Sequence, residues 1–71
     1  MKVTYEYDVR RATFPNGDDA AVIAWLNSFG TESWGAIQLD RFPLRNNRRR
    51  LTGETLYRAT LERCIFHEEA A

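Results

Sequence analysis

From Lys2 to Arg10 apolar and polar residues alternate: Val3, Tyr5, Tyr7 and Val9 fall on one face, Lys2, Thr4, Glu6, Asp8 and Arg10 on the other. That is the period of a half-buried strand. Phe14-Pro15-Asn16-Gly17 then supplies turn chemistry, and Asp18 can accept a hydrogen bond from the first free N–H groups of a helix. The spacing predicts a helix over about Asp19 to Phe29, ended by Gly30 in a left-handed conformation. Val22, Trp25, Leu26 and Phe29 recur at helical spacing, with Ile23 at the margin, and are expected to cover a sheet with Tyr5 and Tyr7 beneath. Trp34 to Phe42 reads as a second strand, with Gly35 permitting a bulge and Pro43 ending regular pairing. In the last segment Tyr57, Ala59, Leu61 and Ile65 fit a strand face, whereas Tyr57, Leu61 and Ile65 alone also fit a helix. The β-favouring residues Thr55, Tyr57, Thr60, Ile65 and Phe66 put the strand reading ahead.

The expected fold class is α+β: a β-α-β-β order forming a three-stranded, mainly antiparallel sheet with one helix packed on one face. One domain is expected over residues 1–71, with a basic loop at about 41–53 and a short C-terminal tail at about 67–71. A single helix covers a single face. If Leu56, Cys64 and Phe66 point to the other face with Thr60 between them, that face is partly apolar and suits self-association. A chain of this size gains only about 3–5 kcal/mol from its core, which makes a homo-oligomer the expected assembly.

The 71 residues carry ten Lys and Arg against ten Asp and Glu, so total charge does not drive binding to nucleic acid. The distribution alters that picture. Arg41-Phe42-Pro43-Leu44-Arg45-Asn46-Asn47-Arg48-Arg49-Arg50 holds five of the ten basic residues and none of the acidic ones, giving a +5 loop on a −5 body. Guanidinium forks at Arg41, Arg45, Arg48, Arg49 and Arg50 suit carboxylate or phosphate, and Phe42 can stack on a base or lie under the arginine stems. The competing reading is a solvated loop whose arginines pair with acidic residues of the same fold or of a second subunit. Asn46-Asn47 suits the tight turn in either case. An acidic protein surface or a nucleotide-like anion is the expected partner; nucleic acid ranks lower because the acidic body repels a long phosphate backbone.

Catalysis has little support in these residues. Cys64 and His67 are the only thiol and imidazole, and on a strand their spacing sends them to opposite faces. Neither forms a recognisable metal set with Glu68 or Glu69, so no metal and no cofactor is expected, and Cys64 reads as a small packed residue. Trp25 and Trp34 read as core. The longest apolar-rich stretch, Ala20 to Leu26, is far below the roughly 20 residues that span a bilayer. With one cysteine and no leader-like start, the cytoplasm is the expected compartment.

Tyr5-Glu6-Tyr7, Leu26-Asn27-x-x-Gly30-x-Glu32-x-Trp34 and Tyr57-x-Ala59-x-Leu61-Glu62-Arg63 together give the chain a pattern that resembles the domain-of-unknown-function 4177 family of small bacterial and phage proteins. The resemblance implies a β-α-β-β fold and a phage or mobile-element setting, with no activity to carry over. The expected function is therefore a small non-enzymatic binding protein that engages an anionic partner through its arginine loop, as an inhibitor of a host system. The alternatives are an assembly subunit that self-associates through Leu56, Thr60 and Phe66 on the open sheet face, and a nucleic-acid-binding accessory protein.

Overall fold

A computed structural model describes residues 2–68. The chain runs β1 (Lys2–Pro15), α1 (Asp19–Gly30), β2 (Gly35–Arg45) and β3 (Leu51–His67). β3 lies between the other two in the order β1-β3-β2 and pairs antiparallel with both. This is the expected α+β, β-α-β-β arrangement, and the last segment is a strand.

The helix begins where the sequence places it. Asp18 Oδ1 accepts the Ala21 N–H at 3.2 Å, and Gly17, at φ +82°, completes the preceding turn closed by Asp18 N–H to Pro15 O at 3.2 Å. Its end differs from expectation. Gly30 does not take the left-handed conformation; Ser33 does, at φ +66°, with Ser33 N–H donating to Gly30 O and Trp34 N–H to Phe29 O. That pair of bonds is a Schellman motif, which satisfies carbonyls the last turn leaves free.

Cross-strand partners share a face, so the register divides the sheet. One face carries Ala12, Phe14, Leu39, Tyr57, Ala59 and Leu61 under α1. Ala59 and Leu61 are fully buried there, joined by Val22 and Phe29 from the helix, with Trp25, Leu26 and Trp34 packed against them. Phe14 meets Trp25 at 5.6 Å and Tyr57 at 5.8 Å between ring centroids, and Trp25 meets Phe29 at 5.2 Å. The other face has no helix and carries Val3, Tyr5, Tyr7 and Val9 beside Leu56, Arg58, Thr60, Glu62, Cys64 and Phe66.

Tyr5 and Tyr7 are thus not beneath the helix: they are 57% and 62% exposed on the open face. The alternation in β1 is real, but the helix covers the opposite side. A helix of 12 residues spans only about 18 Å, whereas the 14 residues of β1 span about 46 Å, so α1 roofs part of one face. Where the roof ends, Glu6 and Asp8 hold arginines: Arg63 Nη2 lies 2.9 Å from Glu6 Oε2 and Arg10 Nε 2.6 Å from Asp8 Oδ2. Cys64 is likewise exposed rather than packed.

β2 departs from expectation in three places. Its bulge lies at Ile37, between Ala36 and Gln38, while Gly35 stays in register opposite Glu62. Pro43 does not end pairing, for it stands opposite Thr55 and the strand continues to Arg45. β2 is an edge strand, where a proline can turn its ring to the unpaired side. The basic segment expected as a loop over 41–53 is therefore mostly strand, since β3 starts at Leu51. The tail expected at 67–71 begins later: His67 closes β3 opposite Lys2 and meets Thr4 Oγ1 through Nε2 at 2.9 Å. Residues 69–71 lie outside the described residues.

Candidate anion-binding hairpin

β2 and β3 join through Asn46-Asn47-Arg48-Arg49-Arg50. Arg49 N–H donates to Asn46 O at 2.9 Å and Asn46 N–H to Arg50 O at 2.8 Å, with Arg49 at φ +60°. These bonds describe a three-residue hairpin loop, a tight turn followed by a left-handed residue. Asn46 organises it, its Oδ1 accepting the N–H groups of Arg48 at 2.9 Å and Arg50 at 3.1 Å. Asn47 lies inside the loop, so the turn spans Asn46 to Arg49 rather than Asn46-Asn47 alone. Arg45 clamps the loop by donating from Nη1 to Arg49 O at 2.9 Å.

Below the turn the strands break register between Pro43 and Arg45, where Gly53 at φ +85° gives β3 extra length. The break is fastened from both sides. Thr52 Oγ1 donates to Leu44 O at 3.2 Å, Asn16 N–H donates to Gly53 O at 2.8 Å, and Thr55 Oγ1 donates to Asn16 Oδ1 at 2.5 Å. β1 pairs with β3 no further than Glu54, so the hairpin overhangs the three-stranded part of the sheet.

The six residues expected to bind an anion do not form one cluster. Arg45, Arg48, Arg49 and Arg50 share the overhanging turn. Arg41 lies on the helix-covered face, lining a cleft of about 440 Å³ with Asn16, Asp19, Thr55 and Tyr57. Phe42 lies on the open face, its ring 5.1 Å from the Arg58 guanidinium, too far round the strand to support the tip arginines. Strand alternation separates Arg41 from Phe42, although they are neighbours in sequence. The self-association residues Leu56, Thr60 and Phe66 do share the open face, with Phe66 66% exposed.

Ion pairing sorts the arginines into two groups. Among the described residues, the body arginines Arg10, Arg58 and Arg63 take Asp8, Asp40 and Glu6, whereas body Arg11 and the five loop arginines take no carboxylate. Pairing of the loop with acidic residues of its own chain is therefore not seen among these residues. Hydrogen bonds from Arg58 and Gln38 hold the Asp40 carboxyl below its ordinary range, and Arg10 does the same to Asp8. Glu62, through hydrogen bonding and then charge, pushes the Tyr7 phenol up. Arg58 carries no motif that reveals its role; only the register brings it to Asp40 and Phe42.

Among the described residues no group of three or more His, Cys, Asp and Glu could hold a metal ion, and no helix is long and apolar enough to cross a membrane. Cys64 and His67 lie on opposite faces, as their spacing predicts. No protein-family model matches the chain, and no curated protein and no solved structure matches it. The resemblance to the domain-of-unknown-function 4177 family rests on the quoted residues alone.

Proposed function

We propose that this protein is a non-enzymatic binding module that presents the Arg45–Arg50 hairpin tip to an acidic protein surface. The observation that carries this reading is the division of the arginines: among the described residues three of the four body arginines, Arg10, Arg58 and Arg63, are matched to carboxylates, whereas the tip arginines are held on an ordered turn with none. A narrow overhanging turn with no enclosing walls suits the flat face of another protein better than a small anion. The −4 remainder of the chain disfavours a long phosphate backbone. The family resemblance supports a phage or mobile-element setting, where occupying an acidic surface of a host protein would inhibit it.

The test uses a polyglutamate peptide as probe, with single-stranded oligonucleotide and ATP as comparisons. Wild type is expected to bind the peptide in a salt-sensitive manner and more tightly than either comparison. Exposed pairs contribute roughly 0.2–1 kcal/mol each, so changing Arg48, Arg49 and Arg50 together to Ala should weaken binding about tenfold and flatten its salt dependence. Unchanged affinity in that variant, or tighter binding of oligonucleotide or ATP, would overturn the reading.

A further inference from the structure

The open face of the sheet is the largest feature that the hairpin reading leaves unused. Only four hydrophobic residues are buried among the described residues, whereas Val3, Tyr5, Tyr7, Val9, Phe42 and Phe66 stand 41–66% exposed on this one face. β1 and β3 run side by side along this face for about 33 Å from Val3 to Thr13, and β2 joins them from Gly35 opposite Glu62, a plane of roughly 430 Å².

The order of side chains identifies what covers it. Along the central strand β3 the open face reads Leu56, Arg58, Thr60, Glu62, Cys64. Read backwards, apolar, negative, neutral, positive, apolar, it is the complement of itself about Thr60. We infer that a second copy of this chain lies face to face on the open sheet, related by a two-fold axis that crosses the strands at Thr60. Each Arg58 then stands over the Glu62 of the other copy, and Leu56 over its Cys64.

The neighbouring strands obey the same operation. β1 places Val9 beside Thr60, so Arg11 comes over the Tyr7 and Glu62 of the other copy and Thr13 over its Tyr5. Such an isologous contact uses one patch twice and closes on itself. Its charges also cancel: within the overlapped part the open face carries Arg11 and Arg58 against Asp40 and Glu62. Burying ionised groups is costly unless each has a partner. Arg58 enters already holding Asp40 at 2.9 Å and Glu62 enters opposite Tyr7 in the register, and each gains an oppositely charged partner from the other copy. Sheets packed this way lie about 10 Å apart, which side chains of these lengths fill.

Charges placed on the axis test this arrangement, because Thr60 meets its own copy there. By sedimentation, wild type and an equimolar mixture of Thr60→Arg with Thr60→Glu chains should show twice the monomer mass, and each variant alone the monomer mass. A variant that stays dimeric alone, a mixture that stays monomeric, or a wild type that is monomeric at every concentration would overturn it. Leu56→Cys gives a second readout that needs no charge change. A bismaleimide spanning about 10 Å should join the thiol introduced by Leu56→Cys in one copy to Cys64 of the other. Wild type should remain single chains, because its two Cys64 residues lie about 26 Å apart along the strands. Joining in wild type, or none in Leu56→Cys, would overturn the two-fold at Thr60.

Discussion

Two residues adopt backbone conformations that their side chains disfavour. Ser33 at φ +66° and Arg49 at φ +60° occupy the left-handed region, where a Cβ costs roughly 1–2 kcal/mol relative to glycine. Changing each to Gly should therefore raise stability by about 1 kcal/mol, seen as a higher urea midpoint with unchanged slope, and the gains should add because the sites share no contact. The consequences for binding differ. Ser33→Gly should leave the acidic-peptide affinity alone, whereas Arg49→Gly removes a tip guanidinium and should weaken it while strengthening the fold. Of these details the sequence disclosed Asp18 as helix cap and the arginine cluster itself. The left-handed positions were hidden, because Gly30 advertised a helix end that the chain passes by three residues before turning.

At the scale of elements, the two periodicities in the chain, two for the strands and near four for the helix, translate directly into β1, α1 and β3. Which face the helix would cover could not be read from β1, since alternation distinguishes two faces without saying which one receives a neighbour. The answer lies in β3, whose Ala59 and Leu61 are fully buried under α1. With so few buried groups, each one weighs heavily. Leu61→Ala should cost about 2–5 kcal/mol, comparable to the whole stability of a chain this short, and chemical denaturation should find the variant largely unfolded at room temperature. Tyr7→Ala, at a site 62% exposed in the single chain, should cost that single chain far less. The candidate site divided for a related reason: Arg41 and Phe42 are adjacent in sequence but sit on opposite faces of β2, which runs on to Arg45 through residues expected to form a loop.

For the molecule as a whole, extents of 63 × 22 × 12 Å describe a long slab with a roof over part of one side. If a second copy covers the bare side, folding and pairing are linked. The melting temperature of wild type should then rise with protein concentration, while Thr60→Arg should melt at one temperature throughout. Differential scanning calorimetry across a hundredfold range of concentration distinguishes the two. The overhang of the β2–β3 hairpin then acquires a second meaning. Copies laid antiparallel about Thr60 point their arginine tips in opposite directions, about 60 Å apart by strand length. Such an assembly is a double-ended strut: too long for both tips to grip one small protein, it would tether two acidic surfaces, or two sites on one large array, and so gain avidity from spacing rather than from any added contact.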